Sequence, residues 1–554
     1  GITVELYKNY STAAENLLTP VHVDGNDRYY EVAAGARYSC VSKPATGSGR
    51  YIIHKNIYIS PEEATQKNIM DVTPGVRTTA GWDTPNAVNI YADEVLETAR
   101  ASFPELWPQY ADIFTTPACQ PGRNDHRQTT QDEMESFLAG LDDADDNIYV
   151  YTLGQTAMKS FNIPIVIVTD VDLSGCETWE EAAELVRADS EKNGKVTVHY
   201  QAQIHGNEPA AGEAAFGMVK LLDGQYGESL LDNLNIYVIP RLNPYGAYKS
   251  NRITWLDAST YTDPNRDFLH LHTSEVQARM RAFNAFEPEI VFDNHEYQAA
   301  LTSTTSKKTD MMFCCHPLPM ASEAYNETAI EIAYASFAHM ENDGLSYSWY
   351  NSGSGGSMGG VGGNTGSSNT AARGTFHILM ETLGSNYGKS MYERRVVSHA
   401  SAVTGILNYL SDNATKVKSV IKAERERMVE NGKTYREDDV FALQTASVDA
   451  PQYYIEGEQV SLLTGEKSPY TYTAKMSGSI TRSRIAPTAY VIPAGKSYTE
   501  KVLKLMDMQG IAYTYIPEGA TLPLQQYVGT VELADLAEEK TVTFPNGAYV
   551  FTMA

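Results

Sequence analysis

The stretch VTVHYQAQIHGNEPAAGEAAFGMV, residues 196–219, joins a β-strand pattern to a helix pattern. Residues 196–204 are rich in apolar and β-branched side chains, which is typical of a buried strand. Pro209 suits the first turn of a helix, and the Ala-rich run after it favours helix. Gly206 permits an unusual turn between the two elements. His205 and Glu208 therefore lie where a strand ends and a helix begins.

Strand and helix patterns alternate on both sides of this junction. Such alternation is typical of α/β domains, in which ligands bind at the carboxyl ends of the strands. We predict an α/β three-layer sandwich with a mixed, largely parallel central sheet, and smaller N-terminal and C-terminal modules. The predicted strands of the sheet are 148–153, 163–169, 196–203, 235–240, 290–293, 311–315 and 375–380, and the helices between them are 178–189, 212–222, 274–286 and 321–340.

The pattern divides the chain into three parts. Residues 1–125 form a predicted N-terminal accessory region, in which 92–114 has a helix pattern broken by prolines. Residues 126–412 form the predicted central domain, and residues 413–554 form a smaller α/β accessory module. Gly, Ser and Asn dominate residues 351–368, which predicts a mobile loop.

The composition limits the possible classes of function. The 554 residues include 43 basic and 69 acidic side chains, a formal net charge of −26. This charge argues against binding to nucleic acid or to an anionic membrane surface. No run of 18 apolar residues occurs, so we predict no transmembrane segment. The five cysteines form no C-x-x-C motif, which argues against a thiolate zinc ribbon. The chain begins at Gly1, and we expect a trimmed, secreted or periplasmic protein.

Two of the twelve histidines are followed by Glu at the third position, His205 before Glu208 and His272 before Glu275. The second pair starts an apparent helix, where Glu suits the helix N-terminus, and we interpret it as structural. The first pair ends a strand, which is where α/β domains bind ligands. We therefore consider His205 and Glu208 as two metal ligands.

Later strand ends supply the rest of a catalytic zinc site. Such a site has three protein ligands and an open position, and two histidines with one glutamate form one such set. His295 ends the strand that begins near residue 290, so it is the candidate third ligand. Glu381 ends an apolar strand and is the candidate general base.

The segment Asp263-Pro264-Asn265-Arg266 lies between these ligands in the chain. Arg matches a carboxylate with two hydrogen bonds, so Asn265 and Arg266 are candidates for binding a substrate carboxylate. Asp263 is the candidate acid that orients a zinc-bound histidine. A surface salt-bridge loop is the alternative for the whole segment.

Together these residues resemble the zinc carboxypeptidase family of the carboxypeptidase A type, in its large bacterial branch. The resemblance runs from about residue 129 to 410. His205-Gly206-Asn207-Glu208-Pro209 resembles the family's first ligand motif, and Asn243-Pro244-Tyr245-Gly246 resembles its Asn-Pro-Asp-Gly turn with Tyr in place of Asp. By the same resemblance, Asn265 and Arg266 correspond to the binder of the terminal carboxylate, His295 to the third ligand and Glu381 to the catalytic glutamate.

The resemblance also implies roles for residues outside these motifs. Arg252 corresponds to the arginine that stabilises the oxyanion, and Arg373 is a candidate for substrate binding. The family's substrate-capping tyrosine has no clear equivalent, since Tyr350 lies 31 residues before Glu381 (381 − 350).

The implied activity is that of a zinc metallocarboxypeptidase. One Zn²⁺ ion would be the cofactor, and a peptide or peptide-like substrate with a free carboxylate would lose its C-terminal residue. Glu381 would accept a proton from water and later give it to the leaving amine.

Three other functions remain open at this stage. The same fold and metal could serve an amidohydrolase of N-acyl amino acids or of peptidoglycan stem peptides. A non-catalytic binding protein could keep the fold. Gly355-Gly356-Ser357-Met358-Gly359 matches the G-x-S-x-G motif of serine hydrolases, although glycines follow it where a nucleophile elbow needs a helix.

Overall fold

The structure is a computed structural model that describes most of the chain beyond residue 127 and several segments before it. The described residues are 2–8, 14–25, 27–33, 37–44, 51–58, 107–120, 128–297, 309–351, 356–383, 392–460, 467–525, 527–528, 535–536 and 539–553. The helix predicted over 92–114 lies mostly outside these ranges, and its described end is the 3-10 helix Pro108–Thr115.

Five short strands are described in the N-terminal region: β1 (Ile2–Lys8), β2 (His22–Asp24), β3 (Asp27–Tyr29), β4 (Arg37–Pro44) and β5 (Tyr51–Tyr58), with a 3-10 helix at Ala14–Asn16. Strands β1, β4 and β5 form an antiparallel sheet, and β2 and β3 form a separate hairpin.

The central part alternates strands and helices, as predicted. Its strands are β6 (Ile148–Gln155), β7 (Asn162–Val168), β8 (Val196–Ala202), β9 (Leu234–Ile239), β10 (Thr254–Trp255), β11 (Tyr261–Thr262), β12 (Ile290–Tyr297), β13 (Met311–Cys314), β14 (Tyr347–Asn351), β15 (Gly356–Ser357) and β16 (Phe376–Leu383). Its helices are α1 (Gln131–Asp142), α2 (Trp179–Asn193), α3 (Pro209–Leu222), α4 (Gln225–Leu231), α5 (Pro244–Lys249), α6 (Ser274–Phe286), α7 (Glu323–Asn342), α8 (Gly366–Ala371), α9 (Tyr392–Asp412) and α10 (Ala414–Lys433), and Pro264–Arg266 is a 3-10 helix.

Local sequence signals account for several of these boundaries. Helix α1 begins with a capping box, in which the Thr130 side chain accepts from the Glu133 N–H and the Glu133 carboxylate accepts from the Thr130 N–H. Helix α3 begins at Pro209, as the proline predicts. The segment 351–368 departs from the predicted loop, because it contains β15 and the buried start of α8.

The C-terminal part continues the α/β pattern. Its elements are β17 (Val440–Asp449), the 3-10 helix Pro451–Tyr453, β18 (Ile455–Val460), β19 (Lys467–Tyr472), β20 (Ala474–Ile485), β21 (Ala489–Pro493), α11 (Thr499–Met508), β22 (Thr514–Ile516), β23 (Ala520–Leu524), β24 (Tyr527–Val528), β25 (Asp535–Leu536), β26 (Lys540–Phe544) and β27 (Ala548–Thr552). The predicted domain boundaries, after residues 125 and 412, stay predictions.

One mixed sheet organises the molecule, in the order β17-β20-β15-β14-β13-β16-β12-β8-β9-β7-β6. The α/β class with a mixed sheet is thus confirmed, and five of the ten pairings are parallel: β8 with β9, β8 with β12, β12 with β16, β13 with β14 and β15 with β20. Strands β17 and β20 join this sheet from the C-terminal part.

Helices cover both faces of the sheet. Along β7, Val166 and Val168 pack into one hydrophobic core, whereas Ile165 and Ile167 pack into the other, because successive side chains of a strand point to opposite faces. Helices α1, α3, α7 and α9 contribute to the first core, and α2 and α6 to the second. Within the described ranges, no helix combines the length and apolar character needed to cross a bilayer.

Candidate metal centre

Two neighbouring parallel strands bring the predicted ligands together. Strand β8 ends at Ala202, and the chain turns through His205 into α3, whose N-cap is Glu208. A side chain at Gly206 would not fit, because a Cβ there would lie 1.9 Å from the Gly246 carbonyl carbon. Strand β12 pairs with β8 and carries His295 near its carboxyl end. All three candidate ligands are buried.

The ligand atoms lie close together. The Nδ1 atom of His205 is 2.8 Å from Glu208 Oε1, and the Nδ1 atom of His295 is 2.9 Å from Glu208 Oε2. The two Nδ1 atoms are 3.1 Å apart. Among the described residues, His205, Glu208 and His295 form a cluster that could hold a metal ion, because each offers one ligand atom and these atoms all lie within 4.8 Å of one another.

The Nε2 atom of each of the two imidazole rings, His205 and His295, lies near an aspartate. The Nε2 atom of His205 donates to Asp263 Oδ1 at 3.2 Å, and that of His295 lies 3.1 Å from Asp293 Oδ1. A proton held on each Nε2 leaves a lone pair on each Nδ1. Two such lone pairs and a carboxylate form a set of nitrogen and oxygen ligands that fits a divalent metal such as zinc.

The ionisation of these groups points the same way. Burial alone would raise the pKa of Glu208, but His205 and His295 outweigh it and hold this pKa at about 2. Burial opposes a charge on His295, but Asp293 and Glu208 outweigh burial and raise its pKa well above the usual range. The two carboxylates around His295 thus favour a positive charge between them.

Glu381 lies beside the ligands on the next strand. Strand β16 runs parallel to β12, and Glu381 is the register partner of His295. Desolvation is the main reason that the pKa of Glu381 is raised to about 7, and the charge of Glu208 adds to it, whereas His295 opposes it. A carboxyl group with its pKa near neutrality can exchange a proton at neutral pH, as a general base and acid must.

Arg252 also reaches the cluster. Its Nε donates to Asp263 Oδ2 at 2.9 Å, and its Nη1 lies 3.1 Å from His205 Nδ1 and 3.6 Å from Glu208 Oε1. Its side chain is 44% exposed, so the guanidinium borders both the ligands and solvent. The structure therefore brings together Arg252, Asp263 and the candidate ligands.

Asn265 and Arg266 follow Asp263 in a 3-10 helix. Asp263 caps this helix by accepting from the Asn265 N–H at 2.9 Å. The Asn265 side chain accepts from the Gly366 N–H at 2.9 Å, which ties the segment to the start of α8. Arg266 is exposed and donates to the Asn265 carbonyl at 2.7 Å. Both residues thus adjoin the capping acid Asp263, and their carboxylate-binding role stays a prediction.

Arg373 lies away from the ligands. Its Nε donates to Asn369 Oδ1 at 3.1 Å, and its Nη atoms donate to the backbone and side chain of Gln509 in the C-terminal part. It precedes β16 at the amino end, whereas Glu381 lies near the carboxyl end. Roughly 16 Å of strand separates Phe376 from Glu381 at about 3.3 Å per residue. These contacts give no support to the substrate-binding role predicted for Arg373.

The sequence reasoning assigned no role to Asp293, which is fully buried against the ligands. Its Oδ1 accepts from Gln201 Nε2 at 2.7 Å, and its Oδ2 lies 3.7 Å from His377 Nε2. Burial would raise its pKa, but the charge and hydrogen bonding of His295 outweigh burial and lower it. The available signal was an acid directly after the apolar run of β12, two residues before a candidate ligand.

Tyr350 is a second residue that the sequence left without a role. The negative charge of Glu381 is the largest cause of its raised pKa, so the two side chains share one environment. Tyr350 is the second-last residue of β14, which is separated from β16 only by β13. The order of the strands thus brings it close to Glu381 despite the 31-residue interval.

The two competing motifs have structural roles or lack a required element. The His272 side chain is 56% exposed, and the Glu275 carboxylate accepts from Thr254 Oγ1 at 2.6 Å near the start of α6. This confirms the structural interpretation of that pair. Ser357 lies in the two-residue strand β15, and the next helix begins at Gly366, so no nucleophile elbow is formed.

Comparison with known proteins identifies a family for part of the chain. The family model described as "Zinc carboxypeptidase" matches residues 134–317, which include His205, Glu208 and His295 but not Glu381. "Probable carboxypeptidase 2" of Arthroderma benhamiae is 26% identical over 371 residues, which are 64% of this chain and 66% of the relative. "Carboxypeptidase 2" of Trichophyton equinum is 25% identical over 371 residues, 64% of each protein. The match thus spans just under two thirds of these relatives.

Solved structures with partial similarity include a metallo-carboxypeptidase from Burkholderia cenocepacia. It is 17% identical with a TM-score of 0.37, over 51% of this chain and 69% of that one. A metallo-carboxypeptidase from Pseudomonas aeruginosa is 12% identical with a TM-score of 0.38, over 52% and 69%. Residues 134–317, which contain the three candidate ligands, are thus similar to the zinc carboxypeptidase family.

Proposed function

We propose that this protein is a secreted or periplasmic zinc metallocarboxypeptidase that removes C-terminal residues from peptides. One Zn²⁺ ion would be held by His205, Glu208 and His295. The observation that carries the proposal is the convergence of these three side chains beside Glu381. Glu381 is the register partner of one of them, His295, on the neighbouring strand. A bound zinc ion supplies Lewis-acid chemistry, in that it polarises a carbonyl group and lowers the pKa of water.

Glu381 is the proton-transfer group in this proposal. Its carboxylate accepts a proton from the attacking water, and the resulting carboxylic acid gives that proton to the leaving amine. The pKa near 7 supports both roles at neutral pH. A bound cation would lower this pKa, because positive charge favours the carboxylate form.

Arg252, Asn265 and Arg266 position the substrate in this proposal. Arg252 lies beside the ligands with its guanidinium partly open to solvent, so it can stabilise negative charge that develops on the scissile carbonyl oxygen. Asn265 and Arg266 would bind the terminal carboxylate of the peptide. The Asp263 carboxylate accepts hydrogen bonds from both His205 and Arg252. It would thereby orient one metal ligand and one substrate-binding group.

The proposal is tested with matched peptides that carry a free or an amidated C-terminus. We expect the zinc-loaded protein to release the last residue of the free peptide, and to act at least about 100-fold more slowly on the amide, because the amide lacks the charge that Arg266 would bind. Product analysis by mass spectrometry measures both rates. Equal rates, or cleavage only of N-acyl amino acids, would contradict the carboxypeptidase assignment.

Asp293 provides a test of metal binding that does not depend on turnover. In Asp293→Asn, the amide presents a weaker partner to His295 Nε2, so we expect zinc affinity to fall about 10-fold to 100-fold. Competition with a chelating dye measures the affinity. Asp170→Asn, which changes a half-exposed acid that pairs with Lys195, is the matched control. An affinity equal to that of the control would show that Asp293 does not support the ligand.

A further inference from the structure

Gln509 is a buried polar residue of the C-terminal part, directly after α11. It is 5% exposed and lies outside the residues that match the family model. Leu505 and Met508 of α11 pack against the core that α2 and α6 share. The Asn284 side chain of α6 donates to the Met508 carbonyl at 3.1 Å, and a Cβ at Gly510 would lie only 2.8 Å from Asn284 Nδ2. The end of α11 is therefore docked closely onto the central part of the chain.

The Gln509 amide joins two groups of opposite hydrogen-bonding character. Its Nε2 donates to the Phe268 carbonyl at 2.7 Å in a buried hydrogen bond. Its Oε1 accepts from Arg373 Nη2, and its backbone carbonyl accepts from Arg373 Nη1 at 3.0 Å. A guanidinium can only donate and a carbonyl oxygen can only accept, so a side chain between them must offer both a donor and an acceptor. The two partners thus fix which way the amide points.

The bond to Phe268 fastens the backbone just beyond the candidate carboxylate-binding residues, since Phe268 lies two residues after Arg266. The Phe268 side chain is fully buried, and its N–H donates to the Asn364 carbonyl at 3.2 Å. A second donor to its carbonyl, Asn369 Nδ2, is 3.5 Å away, which is long for a hydrogen bond. Gln509 therefore supplies the short hydrogen bond to this buried carbonyl, and losing it would leave the carbonyl poorly satisfied.

Gln509 also reaches Asn265 by a second route, through Arg373 and α8. Arg373 Nε donates to Asn369 Oδ1 at 3.1 Å, and Asn369 lies on α8. The N–H of Gly366, the first residue of α8, donates to the Asn265 side-chain oxygen at 2.9 Å. That bond uses the oxygen of the Asn265 amide and leaves its Nδ2 donor for a carboxylate. Both routes start at Gln509 and end at the predicted carboxylate binders.

We propose that Gln509 is a positioning residue for substrate binding, which holds Asn265 and Arg266 where they meet the terminal carboxylate of a peptide. The inference rests on the proposed peptidase function and adds to it a residue from the C-terminal part of the chain. Gln509 acts on the carboxylate-binding segment and not on the reacting bond. Its loss should therefore weaken the binding of a free carboxylate and leave proton transfer by Glu381 intact.

The test compares Gln509→Ala and Gln509→Glu on matched peptides with a free or an amidated C-terminus. In Gln509→Ala, we expect KM for the free peptide to rise about 10-fold and kcat to change by less than about 3-fold, so the free-to-amide ratio of kcat/KM falls about 10-fold. In Gln509→Glu, the carboxylate still accepts from Arg373 but cannot donate to Phe268, so the ratio should fall by a similar factor. Zinc affinity, measured by competition with a chelating dye, should equal that of the wild type in both variants.

Gln525→Ala is the matched control, because Gln525 is exposed directly after β23 in the same part of the chain. Its KM and free-to-amide ratio should equal those of the wild type. A wild-type ratio in Gln509→Glu, or equal losses on the free and amidated peptides in both variants, would overturn the positioning role while leaving the peptidase function intact. If Gln509→Ala does not fold, the ratio in Gln509→Glu decides. A wild type that cleaves neither peptide, or both equally, would overturn the proposed function and this inference with it.

Discussion

Replacing Glu381 with Gln lowers kcat/KM for peptide hydrolysis by about 10²–10⁴-fold, while the bound zinc is retained. The amide has nearly the same size and keeps the packing of β16, but it cannot accept a proton from water. Glu381 is not one of the three side chains of the candidate metal site, so we expect the variant to bind zinc. Steady-state kinetics on a free-carboxylate peptide, with zinc content measured on the same sample, checks both parts.

The pH profile distinguishes proton transfer from a structural effect of the same substitution. The base must be ionised, so kcat/KM of the wild type should fall as pH falls through the pKa of Glu381. Burial raises this pKa to about 7 without a metal, and a bound cation lowers it, so the acid limb should lie below pH 7. The residual activity of Glu381→Gln should lack that limb. Wild-type activity in the variant, or an unchanged acid limb, would contradict the assignment of Glu381 as the base.

The second large effect is expected at His295. In His295→Ala, zinc loses one of three ligands, so affinity should fall by at least about 100-fold and activity at equimolar zinc should be lost. The substitution also leaves Asp293 buried without its imidazole partner, which costs stability. A melting curve measured without metal separates this stability loss from the loss of zinc.

His272→Ala is the control for His295→Ala, because its side chain is 56% exposed and belongs to the other His-x-x-Glu pair. We expect zinc affinity and activity close to those of the wild type. If His272→Ala and His295→Ala reduced zinc binding equally, the choice between the two pairs would be wrong.

Strand ends made the ligands predictable from sequence. His205, His295 and Glu381 each follow or end an apolar β pattern, and parallel strands place such ends at one edge of the sheet. The strand boundaries were predicted to within a few residues, because the apolar runs are long and bounded by polar residues. Comparing the two His-x-x-Glu pairs by position, rather than by motif, selected the correct one for the cluster.

Sheet order limited the prediction of the surrounding residues. Tyr350 was set aside because of its distance from Glu381 in sequence, yet only β13 separates their strands. Arg373 was considered because it is near Glu381 in sequence, yet it lies at the other end of β16 and binds Gln509. In both cases the strand order decides which residues lie near Glu381, and that order depends on contacts between residues distant in sequence. The joining of β17 and β20 to the central sheet was unpredictable for the same reason.

A crystal structure of the zinc-loaded protein, with anomalous diffraction recorded at the zinc edge, tests the central claim most directly. We predict one anomalous peak between His205 Nδ1, His295 Nδ1 and the Glu208 carboxylate, at the usual zinc distances of about 2.0–2.2 Å, with Glu381 adjacent to its open position. A zinc peak elsewhere, or no peak at these three side chains in a protein soaked with zinc, would contradict the metallocarboxypeptidase proposal.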